Sequence, residues 1–236
     1  MISVNKILNN ILLFIIFLVC VSSCMSCNVK KISNKKEIKF GRVNETTVLI
    51  QTTLMSADLS EEDVSRGTGV IISDKYILTA AHVCEPWKYM VDTEKRYASM
   101  TIAIDVYGNY WTGEPISIDH FYDICLFESD YNLGIKPSKL SKKEPNRSDL
   151  YYYIGYPLGI KGKNLSNKLF GYYAGELDNT YSIFNIPAVG GSSGGPIYDN
   201  KGDFVGLLIA TYPEFNNMSI SIQHKYIKRF IKESVP

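Results

Sequence analysis

The stretch Gly67-Thr-Gly-Val-Ile-Ile-Ser-Asp-Lys-Tyr-Ile-Leu-Thr-Ala-Ala-His-Val-Cys84 is a long, ordered pattern. Its Gly-x-Gly opening leads into an apolar run, a polar turn follows, and a second apolar run ends at Thr79-Ala-Ala-His82. Short runs rich in Val, Ile and Tyr that are bounded by turn residues are typical of β-strands. The stretch therefore predicts two consecutive strands with a histidine directly after the second.

Runs of the same kind recur from residue 47 onward, separated by Gly, Asn, Asp and Pro. They predict strands over 48–55, 69–73, 76–80, 100–106, 116–118, 124–128, 150–156, 168–174, 181–184, 196–198, 204–211 and 218–222. The irregular stretch 129–149 divides these strands into two sets of six, and apolar residues at helical spacing predict a helix over about 223–234. Many short strands predict an all-β fold, either a barrel or a sandwich.

Two further motifs contain reactive side chains. Tyr122-Asp-Ile-Cys-Leu-Phe127 places an acid directly before an apolar run, and Gly190-Gly-Ser-Ser-Gly-Gly-Pro196 places serines among glycines. Glycines allow tight turns and let backbone N–H groups approach a substrate. A serine hydroxyl is a poor nucleophile until an adjacent imidazole accepts its proton, and a carboxylate orients that imidazole. The three motifs together supply these three residue types.

In this order, the motifs resemble those of the trypsin/chymotrypsin superfamily of serine proteases, and more narrowly its bacterial HtrA-like branch, over about residues 47–236. The resemblance implies two six-stranded antiparallel β-barrels, at about 47–130 and 150–222, with the active site in the cleft between them. It also implies a serine endopeptidase that acts on peptides or proteins and uses no cofactor. We expect no PDZ domain, because the chain ends shortly after the predicted helix.

The resemblance also assigns roles to single residues. By this resemblance, His82 corresponds to the general base of the family, Asp123 to the acid that orients the base, and Ser193 to the nucleophile. The backbone N–H groups of Gly191 and Ser193 would form the oxyanion hole. Because His82 and Asp123 fall on the first predicted barrel and Ser193 on the second, the cleft would bring the three together.

The substrate pocket is also placed by resemblance. In this family it is lined by residues about six before the nucleophile and by the strand after it. The corresponding residues here are Pro187, Ala188, Leu208, Ile209, Ala210 and Thr211. None of them is acidic, so we expect a preference for small to medium apolar side chains at the cleaved position.

Ser192 occupies the position that is Asp in the digestive members of the superfamily, where the acid pairs with a newly cut N-terminal amine. A buried ammonium beside an uncharged serine would have no carboxylate to offset its desolvation. We therefore expect activity without proteolytic activation. We also expect the Ser192 hydroxyl to form a local hydrogen bond that braces the loop.

Cys84 and Cys125 lie near His82 and Asp123 along the chain. Many family members have a bridge from a cysteine beside the histidine to one just before the Gly-x-Gly strand, but Arg66 stands at about that earlier position here. We therefore expect Cys84 and Cys125 to be small buried residues, with a bond between them as the minor alternative. No spacing of Cys and His predicts a metal site.

Two alternatives to a peptidase remain open. One is a non-catalytic binding module that kept the barrels, although such proteins usually lose a triad member. The other is an α/β-hydrolase esterase, since Gly-x-Ser-x-Gly fits a nucleophile elbow and Ser193, Asp203 and His224 follow in the right order. The short remainder, residues 194–236, and the lack of long amphipathic helices disfavour the parallel sheet of that fold.

Residues 1–23 predict a lipoprotein-type signal peptide. Lys6 precedes the uncharged apolar run 11–21, which is too short to span a bilayer as a helix but suits the apolar region of a secretory signal. Val21-Ser-Ser-Cys24 resembles the lipobox, whose cysteine is lipidated after cleavage. The expected product is exported and anchored through Cys24 to a membrane of the cell envelope. An ordinary cleaved signal, which gives a soluble secreted protein, and an uncleaved anchor are the alternatives.

Charge and composition complete the prediction. Residues 24–46 are basic, lack an apolar period and predict a flexible tether before the domain at 47–236. The whole chain has 25 basic and 24 acidic residues, a balance that gives no strong attraction to nucleic acid. Its hydrophobic fraction of 45% is typical of a folded soluble protein. No pattern indicates an oligomeric state.

Overall fold

The computed structural model describes residues 40–56, 62–86, 97–162, 165, 167–212 and 214–235. All of them belong to the second of the two units into which the chain divides, residues 38–236. The predicted signal peptide, Cys24 and most of the predicted tether lie outside the described residues.

Six antiparallel strands form the first closed barrel. A short helix, α1 (Phe40–Glu45), precedes them. The strands are β1 (Thr47–Ser56), β2 (Glu62–Ile71), β3 (Tyr76–Thr79), β4 (Tyr97–Ile104), β5 (Tyr110–Asp119) and β6 (Ile124–Ser129). Their order is β1-β2-β3-β6-β5-β4, and β4 pairs with β1 to close the barrel. A second short helix, α2 (Ala81–Cys84), follows β3 directly.

Six more antiparallel strands form the second closed barrel. They are β7 (Leu150–Gly155), β8 (Asn167–Leu177), β9 (Tyr181–Phe184), β10 (Pro196–Tyr198), β11 (Phe204–Tyr212) and β12 (Phe215–Ile222). Their order is β10-β11-β12-β9-β8-β7, and β10 pairs with β7 to close the barrel. A 3₁₀ turn over Pro157–Gly159 follows β7, and helix α3 (His224–Ser234) follows β12.

This architecture confirms the predicted pair of six-stranded antiparallel barrels with a C-terminal helix. The largest differences from the predicted strands are at the starts of β2 and β5, which begin at Glu62 and Tyr110. Their added residues are mostly polar, charged or Gly, so no apolar run marks them in the sequence. Pairing extends them instead: Met55 of β1 lies opposite Glu62.

The packed domain begins earlier than predicted. Residues 24–46 were expected to form a flexible tether, but Phe40–Glu45 form α1, and Val43 within it is 5% exposed. Val43 belongs to the same apolar cluster as Val48 of β1 and Tyr198 of β10. The sequence did not predict this helix, because six residues are too few to show an apolar period.

Helix α3 packs its apolar side against residues of both barrels. Ile227 and Phe230 are buried in the cluster that both barrels share, while Tyr226 stacks on Tyr122 with ring centroids 4.3 Å apart. The helix of the second barrel therefore packs against the loop before β6 in the first. Within the part of the chain that the structure describes, no helix has the length and apolar character needed to cross a membrane.

Candidate active site

The end of β3 and the start of β6 place His82 and Asp123 side by side. The two strands are paired, with Thr79 opposite Cys125, so the residues just beyond them meet at one edge of the barrel. His82 Nδ1 lies 2.7 Å from Asp123 Oδ2, and the His82 backbone N–H donates to Asp123 Oδ1 at 3.0 Å. The carboxylate thus holds the histidine by both ring and backbone, and it turns Nε2 away from the acid.

A tight turn before β6 holds Asp123 in place. The backbone N–H groups of Phe121 and Tyr122 donate to Asp119 Oδ1 at 2.9 and 3.1 Å, and Asp123 itself has a φ of +55°. Asp is among the few side chains that enter this left-handed region readily. The stacking of Tyr226 on Tyr122 fixes the same turn from the side of α3.

The loop that contains Ser193, residues 190–195, is called the serine loop here. Its carbonyl groups accept hydrogen bonds that hold the loop in place. Among these bonds are those from Leu158 N to Gly190 O (2.6 Å), from Thr68 Oγ1 to Gly191 O (2.9 Å), from Gly195 N to Ser192 O (3.0 Å) and from Thr68 N to Ser193 O (2.7 Å). In a trans peptide the N–H points opposite to the preceding carbonyl. Because Gly190 O and Ser192 O are both engaged, the N–H groups of Gly191 and Ser193 face away from these partners. Neither N–H donates to another backbone group of the described residues.

Gly67 brings the histidine and the serine to the same cleft. A Cβ at Gly67 would overlap the side chain of Val83, which follows His82, and would lie 2.9 Å from the carbonyl oxygen of Ser193. The hydroxyl of Ser193 donates to Ile209 O at 3.4 Å. The structure therefore places all three predicted residues where the barrels meet, with the serine hydroxyl turned toward β11.

Ser192 forms the expected local bond. Its side chain is fully buried, and its Oγ accepts a hydrogen bond from the backbone N–H of Val189 at 3.3 Å. Below the same loop, Tyr153 Oη donates to Ser192 O at 3.4 Å. Burial raises the pKa of Tyr153 to about 12, so its hydroxyl keeps its proton and remains a donor at neutral pH.

Comparison with known proteins identifies the family. The family model for the trypsin-like peptidase domain matches residues 67–207, which is more than half of the 236 residues. The chain belongs to the trypsin-like peptidase family. Membership confirms the family that the three motifs predicted.

A solved structure agrees with this fold. The trypsin-like peptidase is similar to the serine endoprotease from Yersinia pestis, with a TM-score of 0.64 and 17% sequence identity. The match covers 82% of this chain and 64% of that one. This chain therefore spans less than two thirds of the length of that protein.

Cys84 and Cys125 form a disulfide in this peptidase, contrary to the prediction that they are unbonded. Cys84 ends α2 and Cys125 lies in β6, opposite Thr79 at the end of β3. Each cysteine follows a reactive residue by two positions, His82 in one case and Asp123 in the other. The prediction was wrong because it sought the partner at the position known from relatives rather than across the β3–β6 pair. The equal spacing of the two cysteines from His82 and Asp123 was the signal in the sequence that could have indicated this pairing.

The predicted pocket residues divide into two groups. Leu208 is 1% exposed and packs in the core of the second barrel with Ala188, so neither side chain lines an open pocket. Leu208 shares this core with Val205 of the same strand, whereas Leu207 and Ile209 pack in the cluster that both barrels share. Ile209 contributes its carbonyl oxygen to Ser193, while Ala210 is exposed. Pro187 and Thr211 are half-buried.

Two residues that hold the serine loop by hydrogen bonds were not predicted from the sequence. Thr68 is the middle residue of Gly67-Thr-Gly69, and its hydroxyl and N–H both bond to the loop. Leu158, between Pro157 and Gly159, adopts a φ of +57° and donates its N–H to Gly190 O. The Gly-x-Gly motif marks the position of Thr68 but does not indicate its partner, which is distant in sequence.

The esterase alternative is wrong. Its fold requires a parallel sheet, whereas every strand pair within the two barrels is antiparallel. The proposed base, His224, is 5% exposed and its Nε2 lies 2.7 Å from Ser141 O. Within the described ranges, no group of three or more His, Cys, Asp or Glu side chains is placed to hold a metal ion.

Proposed function

We propose that this chain hydrolyses peptide bonds with Ser193 as nucleophile, His82 as general base and Asp123 as the acid that orients the base. The two contacts of the Asp123 carboxylate with the ring and the backbone N–H of His82, at the barrel junction that also contains Ser193, support this assignment most directly. The carboxylate fixes the ring with Nδ1 toward the acid, which leaves Nε2 as the nitrogen that accepts the serine proton.

The reaction follows from these positions. Ser193 Oγ attacks the scissile carbonyl carbon and passes its proton to His82 Nε2. The oxyanion that forms accepts hydrogen bonds from the N–H groups of Gly191 and Ser193, each worth about 3–4 kcal/mol of barrier. The protonated histidine then gives its proton to the leaving amine, and water activated by the same histidine hydrolyses the acyl-enzyme. Because Ser193 Oγ donates to Ile209 O at rest, attack requires rotation of the hydroxyl toward the histidine.

Ser193→Ala tests the function. We expect the variant to lose peptidase activity and labelling by a fluorophosphonate while its melting temperature stays near that of the wild type, because one hydroxyl with a long 3.4 Å bond is removed. Asp123→Asn should lower kcat by about 10³- to 10⁴-fold, since the wrong imidazole tautomer is then favoured. Exposed Ser148→Ala is the matched control and should be labelled like the wild type.

A non-catalytic binding module is the competing function. A folded wild-type protein that shows neither peptide cleavage nor a fluorophosphonate adduct on Ser193 would favour that module. Turnover retained by pure Ser193→Ala protein would overturn the assignment of the nucleophile.

The primary pocket, on this proposal, lies beside Pro187 and Thr211 and accepts small to medium apolar side chains. Pro187, Ala210 and Thr211 are the members of the predicted set that are not buried, and none of them is charged. A peptide library cleaved mainly after Arg or Lys would contradict this preference.

We also propose that the peptidase is exported and anchored through a lipid on Cys24. Two observations support export: the lipobox-like Val21-Ser-Ser-Cys24, and the Cys84–Cys125 disulfide. Disulfides form and persist in oxidising compartments and are rare in the cytosol of most organisms. The basic residues between the anchor and the domain would also be attracted to anionic headgroups.

A further inference from the structure

We propose that Thr68 is a positioning residue that sets the oxyanion hole of this peptidase. The inference rests on the proposed function, because it concerns how the transition state is stabilised. It gives a residue of the first barrel a role in an oxyanion hole that belongs to the second barrel. Thr68 lies in β2, between the glycines of the Gly-x-Gly motif, and it is fully buried.

Thr68 joins three segments that are far apart in sequence. Its Oγ1 donates to Gly191 O at 2.9 Å and accepts the backbone N–H of Tyr156 at 3.0 Å. Its own N–H donates to Ser193 O at 2.7 Å, and its carbonyl accepts the hydroxyl of Thr79 at 2.7 Å. One residue thereby connects the serine loop, the turn after β7 and the strand that leads to the histidine.

These bonds hold the peptides that directly follow the two peptides whose N–H groups would meet the oxyanion. Thr68 Oγ1 holds the peptide between Gly191 and Ser192, and Thr68 N holds the peptide after Ser193. Through Tyr156, the hydroxyl also places the turn in which Leu158 donates to Gly190 O at 2.6 Å. The carbonyl groups on both sides of the Gly191 N–H are therefore held, directly or through the turn, by the Thr68 hydroxyl.

A second hydroxyl at this site bonds to a different carbonyl group: Tyr153 Oη lies 3.4 Å from Thr68 Oγ1 and donates to Ser192 O at 3.4 Å. Gly191 has a φ of +85°, and a glycine backbone has little steric barrier against rotating its peptide planes. Without the Thr68 hydroxyl, Gly191 O and Tyr156 N would lose these partners in a buried position, and regaining partners would require the loop to move. A loop that moves turns the Gly191 N–H away from the developing oxyanion, so the loss falls on the transition state more than on substrate binding.

Thr68→Val and Thr68→Ser form the test, because Val keeps the shape and Ser keeps the hydroxyl. We expect Thr68→Val to lower kcat by about 10- to 100-fold with KM nearly unchanged, as for partial loss of one oxyanion donor. The affinity for a peptide aldehyde, which forms a tetrahedral adduct on Ser193, should fall by the same factor as kcat/KM. The acidic midpoint of the kcat/KM profile should not move, since the hydrogen bonds of Thr68 go to the serine loop, Tyr156 and Thr79 rather than to the His82–Asp123 pair. Thr68→Ser should restore most of the wild-type kcat.

Ser221→Ala is the matched control. Ser221 is equally buried, and its hydroxyl likewise accepts a backbone N–H (Leu207, 2.9 Å) and donates to a carbonyl (Ile222, 3.0 Å), but within the second barrel alone. It should lose stability as Thr68→Val does while keeping the wild-type kcat. If Thr68→Val does not fold, Thr68→Cys, which keeps a weak donor of similar size, is compared in the same way.

The outcomes separate the two proposals. An active wild type with an equally active, folded Thr68→Val would overturn the positioning role alone, as would a loss confined to KM or shared by Ser221→Ala. An inactive, unlabelled wild type would overturn the proposed function, and the inference with it.

Discussion

At the scale of single residues, Gly194 shows why the serine motif requires glycine. Its φ is +81°, and a Cβ there would overlap the Thr68 carbonyl and the Thr79 hydroxyl and lie 2.8 Å from Ala80 N. The residue is therefore wedged between β2 and the end of β3, where the two barrels meet. Close approach of the backbone, as well as the torsion, excludes a side chain.

Gly194→Ala should lower the free energy of unfolding by about 2–5 kcal/mol, since left-handed strain of about 1–2 kcal/mol adds to an overlap with fixed backbone. Gly108→Ala is the control, because Gly108 has a φ of +92° but no atom within 4 Å of its Cβ position. Gly108→Ala should lower the free energy of unfolding only by the cost of the left-handed backbone strain. Urea denaturation of both variants measures the difference, and equal losses would contradict the role of the contact.

At the scale of elements, the disulfide joins the two segments that present the His82–Asp123 pair. Cys84 lies in α2 and Cys125 in β6, 41 residues apart. Closing a loop of this length restricts the unfolded chain, which stabilises the folded state in the chain-entropy model. The bond also ties a four-residue helix, too short to be stable alone, to a paired strand.

Replacing both cysteines with alanine should lower the free energy of unfolding by about 2–4 kcal/mol. Denaturation with and without dithiothreitol measures this, and the reductant should destabilise the wild type but leave the double variant unchanged. A wild type that shows no response to the reductant under unfolding conditions would argue against the bond.

At the scale of the whole molecule, the two barrels share one apolar cluster. It includes Val48 and Leu126 from the first barrel, Tyr152 and Phe204 from the second, and Ile227 from α3. The site at the barrel junction is therefore supported by side chains from both halves. Neither barrel alone contains all of the candidate active-site residues.

The proposed lipid anchor also belongs to this scale, and Cys24→Ser tests it in a bacterial host. Without the thiol the lipid cannot be attached, so a larger precursor should accumulate, whereas the wild type should fractionate with membranes. Two acyl chains on one cysteine suffice for stable attachment where a single chain is marginal. A soluble wild-type protein whose N-terminus is not residue 24 would refute the anchor, and Met25→Ala should mature like the wild type.

Local patterns in the sequence determined the strand number, the terminal helix and the candidate residues His82, Asp123 and Ser193. This was possible because a strand needs only apolar residues between turn residues, and a reactive motif needs only neighbours along the chain. The extra length of β2 escaped prediction because pairing with β1 extends it without an apolar run. The helix α1 escaped prediction because six residues are too few to show an apolar period.

Only the tertiary structure decided which distant segments touch. The Cys84–Cys125 bond, the place of Thr68 beneath the serine loop and the inward position of Leu208 all depend on how the barrels close and on how they pack together. Spacing along the chain does not contain this information, because a side chain's partner across a sheet is set by the register of strands many residues apart. The sequence thus determined which residues could react, and the packing of two barrels decided what holds them in position.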